Sequence, residues 1–327
     1  LLSHGSTRNT LSLKYRQLTK EIDRLMEFAK SKSVENITID DVKRFNLSEE
    51  PKNRFHWVNR SFDDVFAVRE FPTETTGAIF GTALTWMDEP VVFPLRSKII
   101  PDRAASPDSK FQSYDIGAEL TDKTAVKGYN EAVDFLRTQL APDNQNNFMV
   151  KTTFHREHGA AGDSASLASA LSLFSELSDI PIQQNRFCTG TLSFHDGTVG
   201  PIGGVDTKSL AVLKWHELKK EKGIAGKDGK SYFFFPAQNF ETLEEYVRTS
   251  PYDYGDNVVL IPISNFAQAL YLATVQDITP DDIEHLPERS EAFYLKSKRR
   301  MNERVAGFNK QLVASTVPED PLSISYA

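Results

Sequence analysis

A chain of 327 residues, 39% hydrophobic and 25% charged, is long enough to bury a substantial core as one large domain or two ordinary ones, which excludes a chain disordered throughout. Its formal net charge of -7 argues against a nucleic-acid binder that uses its whole surface. Cys188 is the single cysteine, which excludes an intramolecular disulfide and a multi-cysteine zinc site and suits a reducing compartment.

From Leu11 the apolar residues Leu11, Tyr15, Leu18, Ile22, Leu25 and Ala29 fall on one helical face, and Thr38 to Asp41 has the capping-box spacing of a second helix. "NLSEEPKNRF" reads as a linker, so residues 1–52 are expected to form a separate helical segment. "GAIFGTALTW" and "EPVVFPL" then read as strands. "TDKTAVKGYNEAVDFLRTQL" follows as a helix with Val126, Tyr129, Val133, Leu136 and Leu140 on its buried face. "FMVKTTFH" reads as a strand leading into "HGAAGDSASLASALSLF", whose helix should be buried all round. Farther on, "SYFFFP" and "NVVLIP" read as short buried strands, each followed by a helical pattern, and the last 40 or so residues as a helix with an irregular tail. No run reaches the roughly 18 apolar residues of a membrane helix. With no initiating Met and no signal-like apolar stretch, the chain is expected to be a soluble fragment of a longer protein.

The start of the small-residue helix is an unusual place for Asp163 and Ser164. Unpaired N–H groups and partial positive charge there suit an oxyanion formed when a serine attacks a carbonyl. The competing reading is that Asp163 or Ser164 caps the helix. A serine nucleophile needs a base. His155 and His158 stand nearby in "FHREHG", but "GDSAS" lacks the final Gly of the G-x-S-x-G elbow, because Ser166 takes that place. Lys208 is the better partner: in "GTVGPIGGVDTKSLAVLKW" it opens a helix carrying Leu210, Val212, Leu213 and Trp215. At the edge of a core, burial disfavours the ammonium and makes lysine a base near neutral pH. Taken alone, Lys208 could also be a surface lysine of a first turn.

Together, "GDSAS" and "CTGTLSFHDGTVGPIGGVDTK" resemble the proteolytic domain of the Lon family of Ser-Lys proteases, in its archaeal-type branch; the likeness runs from about Gly77 to Ala273 and includes "YFFFPAQNFETL" and "VVLIPISNFAQAL". The resemblance implies an α+β fold, with Ser164 as nucleophile and Lys208 as general base. It also implies that the Thr189 hydroxyl holds the lysine amine, that Asp163 is a supporting acid, and that N–H groups around Asp163 and Ser164 form an oxyanion hole. No metal or cofactor enters the chemistry of this chain. ATP and Mg would belong to an ATPase module outside it, and residues 1–52 resemble the small helical lid of an AAA+ ATPase. The resemblance further implies peptide or unfolded-protein substrates, a homo-hexamer, a cytoplasmic location and no nucleic-acid partner.

The division expected is 1–52 lid-like, 53–285 proteolytic, and 286–327 C-terminal helix and tail. Two departures stand out. The Ser164–Lys208 separation of 44 residues is one longer than usual, through the turn at His195 to Gly197, and Ala161 stands where related sequences often carry Glu. The alternatives are a stand-alone Ser-Lys processing protease and a non-catalytic scaffold of the same fold.

Other motifs read as bland. "GIAGKDGKS" has one residue too many between its glycines for a phosphate loop and precedes a strand. "HREH" lacks the spacing of a zinc helix. "KSKRR", with Lys296, Lys298, Arg299 and Arg300, reads as a solvated helix face, and Cys188 as buried and inert.

Overall fold

The apolar runs read as strands pair into one mixed sheet with helices against both faces. The structure, a computed structural model, describes residues 58–59, 62–63, 73–84, 90–100, 112–113, 123–142, 149–154, 162–224, 229–255 and 257–316. The helices expected between Leu11 and Phe45, His155, His158, Ala161 and the tail beyond residue 316 lie outside the described residues.

The strands are β1 (Glu74–Thr75), β2 (Ala78–Leu84), β3 (Pro90–Ile100), β4 (Gln112–Ser113), β5 (Met149–Phe154), β6 (Ile182–Gln183), β7 (Arg186–Cys188), β8 (Thr191–Leu192), β9 (Val199–Gly200), β10 (Ser231–Pro236) and β11 (Val258–Ile263). The helices are α1 (Lys123–Gln139), α2 (Ser166–Ser178), α3 (Val205–Glu221), α4 (Phe240–Thr249), α5 (Phe266–Thr274), α6 (Pro280–Glu284) and α7 (Leu286–Thr316). Seven strands lie in the order β11-β10-β7-β2-β3-β5-β4. The run from β11 to β2 is parallel, while β3 pairs antiparallel with both β2 and β5. The fold is α+β.

Because strand side chains alternate, the sheet supplies two cores. Ile79 and Ala83 of β2, with Tyr232 and Phe234 of β10, pack against α1, α2, α5 and α7. Phe80 of β2, with Phe233 and Phe235 of β10, faces α3 and Leu243 of α4. Burial on both faces is why "YFFF" is continuously apolar. On the second face Trp215 sits within 5.0 Å of the Phe62 ring and 5.1 Å of Phe80, contacts that add specific geometry to area burial.

Helix α2 is buried along nearly its whole surface, Glu176 excepted. Its serines 166, 169, 172, 175 and 178 recur every third residue, and all are buried. Ser172 donates to the Gly77 carbonyl (2.6 Å) and shares a 2.9 Å hydrogen bond with Ser97; Ser175 accepts from the Gly77 N–H (2.8 Å). These bonds tie α2 to the start of β2 and the second half of β3 and satisfy groups that would be costly to bury alone. On α1, Tyr129, Val133, Leu136 and the adjoining Leu140 are buried as expected, but Val126 is 41% exposed. It lies in the first turn of α1, and it is Thr124 and Gly128 that meet the Gly162–Asp163 segment.

Lys296, Arg299 and Arg300 of the basic run on α7 are exposed, as a solvated face requires, yet some of its cations also bond within the protein. Lys298 donates to Gln139 Oε1 (3.0 Å), and Arg300 donates to the Asp179 carbonyl (2.6 Å) just past the end of α2. Arg304 donates to the Glu176 carbonyl (2.5 Å), so α7 supplies cations to the negative end of the α2 dipole. Leu286, Met301 and Val305 of this helix join the first core.

Arg186, on the central strand β7, is fully buried. Its guanidinium donates to the carbonyls of Leu272 (3.1 Å), Val275 (3.1 Å) and Gln276 (3.0 Å) and lies over the Tyr232 ring. It thus closes the C-terminal end of α5, where carbonyls lack helical partners. Replacing Arg186 by Met should lower unfolding stability by about 3 kcal/mol, because those carbonyls stay buried without their charged donor. Urea denaturation at neutral pH measures it; a loss below about 1 kcal/mol would mean that water takes over the role.

Candidate active site

Helices α2 and α3 lie on opposite faces of the sheet, so their N-terminal ends can meet only past the end of a strand. The short strand β7 provides that place. It stops at Cys188, and the next residue, Thr189, is fully buried and donates its N–H to the Phe234 carbonyl (3.1 Å). Gly190 then turns toward α2, giving its N–H to the Ser164 carbonyl (2.9 Å) and accepting from the Leu167 N–H (3.2 Å).

Ser164 and Lys208 are brought together there, with Lys208 Nζ 2.9 Å from Ser164 Oγ. The same amine is 3.5 Å from Thr189 Oγ1, and the Thr189 hydroxyl donates to the Ser164 carbonyl at 3.3 Å. Thr189 therefore touches both members of the pair, at long distances. Lys208 is 3% exposed, whereas Ser164 is half-buried. The lysine is lowered to about 8: burial pushes it down, and the Asp163 carboxylate keeps it from falling further. At that value a substantial fraction of the amine is neutral near physiological pH and can accept a proton from the hydroxyl it contacts.

Each partner is held by its local chain. Lys208 lies in the first turn of α3, whose cap, Gly204, has a left-handed φ of 64°. A Cβ there would also lie 2.5 Å from Leu84 Cδ1, so glycine meets both a conformational and a steric requirement. Ser164 sits in the turn before α2, not in the helix. The N-cap is Ala165, without a side-chain cap bond, so the capping role considered for Asp163 or Ser164 is not the one they adopt.

That turn is held against α1. The Gly162 N–H donates to Thr124 Oγ1 (2.8 Å), and a Cβ on Gly128 would come within 2.8 Å of Asp163 Cα. Ser166 accepts the Leu192 N–H (2.8 Å) and donates to the Gly190 carbonyl (3.3 Å), lacing β8 to α2. These supports were not read from the sequence. A clue for Ser166 was its place where an elbow carries Gly, since a buried hydroxyl in such a position calls for partners.

Cys188 is fully buried and its thiol is pushed well up by burial, so it is no nucleophile. Among the described residues no cluster of three His, Cys, Asp or Glu side chains could hold a metal ion. Nor is any described helix long and apolar enough to cross a membrane.

No family model matches the chain. Over 288 residues it is 26% identical to an archaeal Lon protease of Halobacterium salinarum, a match covering 84% of the chain and 36% of that protein. It is 25% identical over 276 residues to the archaeal Lon protease of Methanothermobacter thermautotrophicus, covering 82% and 38%. A putative Lon protease homolog of Escherichia coli is 31% identical over 121 residues, 36% of the chain and 20% of that protein. The matched region therefore spans well under half the length of these relatives.

Gly128→Ala tests the packing of the Ser164 turn. Helix propensity favours alanine by about 1 kcal/mol, but the added Cβ meets the Asp163 backbone rather than a yielding side chain. The clash should win, with a net loss of about 1–2 kcal/mol in urea denaturation. A gain in stability would show that α1 can withdraw from the turn without cost.

Proposed function

From a chain that carries a Lon protease domain of the archaeal type, we propose a serine endopeptidase that cleaves unfolded proteins or peptides through an acyl-enzyme on Ser164. The observation that carries this reading is the 2.9 Å contact between a hydroxyl and a buried amine lowered to about 8. Neutral Lys208 accepts the Ser164 proton as the oxygen attacks the scissile carbonyl, then returns it to the leaving amine as the peptide bond breaks. Water, deprotonated by the same amine, releases the acyl group and restores the serine. N–H groups around Asp163 and Ser164 stabilise the oxyanion. Thr189 orients the amine, and Asp163 keeps its pKa from falling further.

The chemistry of this chain needs no metal or organic cofactor. In the wider assembly, a hexamer by resemblance, ATP and Mg would act at an ATPase module that unfolds and delivers substrate. The sequence "GIAGKDGKS" is followed by strand β10, whereas a phosphate loop leads into a helix N-terminus.

Digestion of an unfolded protein such as casein, with Ser164→Ala and Lys208→Ala beside the parent, tests the reading. Activity should fall by roughly 10³-fold or more in each variant, because the two groups act as a unit. Cleavage that survives both changes would overturn the assignment, and no cleavage by the parent would leave two readings, a pair that works only with its ATPase ring and a scaffold of the same fold.

The rate should also depend on pH. Only the neutral amine accepts the proton, so kcat/KM should rise as pH increases through about 8 and level off above it. A profile flat from pH 6 to 10, or falling across that range, would exclude Lys208 as the base.

A further inference from the structure

Asn239 stands at the N-cap position of α4, where an asparagine side chain ordinarily accepts a hydrogen bond from its own helix. It makes no such bond. Asn265, at the same position on α5, does cap, accepting from the Gln268 N–H (3.0 Å). The Asn239 amide is instead turned outward from its helix and spent on Ile202. Its Oδ1 accepts the Ile202 N–H at 3.0 Å, and its Nδ2 donates to the Ile202 carbonyl at 3.0 Å. Both backbone groups of one residue are thus held by one planar side chain, as an adjacent strand would hold them. Asn239 is 9% exposed, so water competes poorly for the pair.

Ile202 lies midway along the loop from Gly200 to Gly204, and each end of this loop leads to one side of the active site. Gly200 pairs with Thr191, two residues beyond Thr189, and Gly204 accepts the backbone N–H of Lys208 (2.9 Å). Pro201 and Gly203 are exposed, and a Cβ on Gly203 would meet open space, while the half-buried Ile202 side chain packs against the second core; the Asn239 tie adds a backbone restraint at the one residue between them.

We propose that Asn239 is a positioning residue for the proteolytic reaction: by clamping Ile202 it fixes the loop that sets the first turn of α3 and so holds Lys208 at the Ser164 hydroxyl. This rests on the reading of Ser164 and Lys208 as the working pair. If the clamp is lost, the first turn of α3 gains freedom, the amine spends time in water, and its burial is partly undone. The charged group acting on Lys208 from the facing turn is Asp163, which a change at position 239 leaves in place.

The test is an NMR titration of the full chain labelled with ¹³C at the lysine ε-carbons, the Lys208 signal being assigned by its absence in Lys208→Met. The variants are Asn239→Ala, which removes both bonds, and Asn239→Asp, which keeps only the acceptor. Val305→Ala, a buried change on α7, controls for general loss of stability. Lys208 should titrate about one unit higher in Asn239→Ala, with a smaller rise or a mixed population in Asn239→Asp, and no shift in Val305→Ala. Peptidase kcat should fall on the order of 10-fold or more in Asn239→Ala with KM changing less. An unmoved Lys208 titration in both Asn239 variants, or an equal shift in Val305→Ala, would overturn the proposal. A parent chain without peptidase activity would count against the proposed function alone, since the titration reads the position of Lys208 directly.

Discussion

Everything at this site depends on keeping a lysine amine out of water while it touches a serine hydroxyl. A lysine becomes a base near neutral pH only if burial penalises its charged form, and a buried amine must still find a polar partner. Lys208 meets both conditions by emerging from a helix that packs on one face of the sheet and reaching past the end of β7 to a serine from the other face. Thr189, as the first residue after that strand, fills the gap between them. A longer β7 would hold the two helix ends apart, and a shorter one would leave the amine without its second neighbour.

The elements around the pair are consequences of that constraint. The Ser164 turn must lie close to α1, which asks for Gly128 on the helix and for Thr124 to take the Gly162 N–H. Helix α2 is buried nearly all round, yet it carries five serines: Ser166, Ser172 and Ser175 bond to neighbouring segments, while Ser169 and Ser178 bond back to the Ala165 and Phe174 carbonyls. Arg186 bonds to carbonyls at the end of α5. Several polar groups in this core, Ser166, Ser172, Ser175 and Arg186 among them, thus fasten one secondary-structure element to another through backbone groups.

Much of the fold was legible because strands buried on both faces read as continuous apolar runs and helices as a period of 3.6. Ser164 and Lys208 were legible because small residues before a buried helix, and a lysine opening an apolar one, are each unusual. Other features could not be read from spacing. A buried arginine such as Arg186 looks in sequence like any surface cation, and its partners are carbonyls nearly ninety residues away. Asn239 has the place of a helix cap, but its amide goes to Ile202, a partner 37 residues earlier that spacing does not reveal. Val126 followed the helical stripe yet lies beyond the core, because periodicity gives a face and not the length over which that face is covered. The competing reading, a cap by Asp163 or Ser164, is not the one adopted: the N-cap is Ala165, and the Ser164 hydroxyl meets Lys208.

The identity of the group that carries the acyl intermediate is the most direct point at which to challenge this account. A peptidyl thioester offered to the parent chain, quenched in acid within a turnover and mapped by mass spectrometry, would reveal the acylated residue. The account predicts one acyl group, on Ser164, and none on Ser164 when Lys208 is replaced by Ala. Acyl transfer to any other residue, Lys208 itself included, or undiminished acylation of Ser164 in the lysine variant, would contradict it.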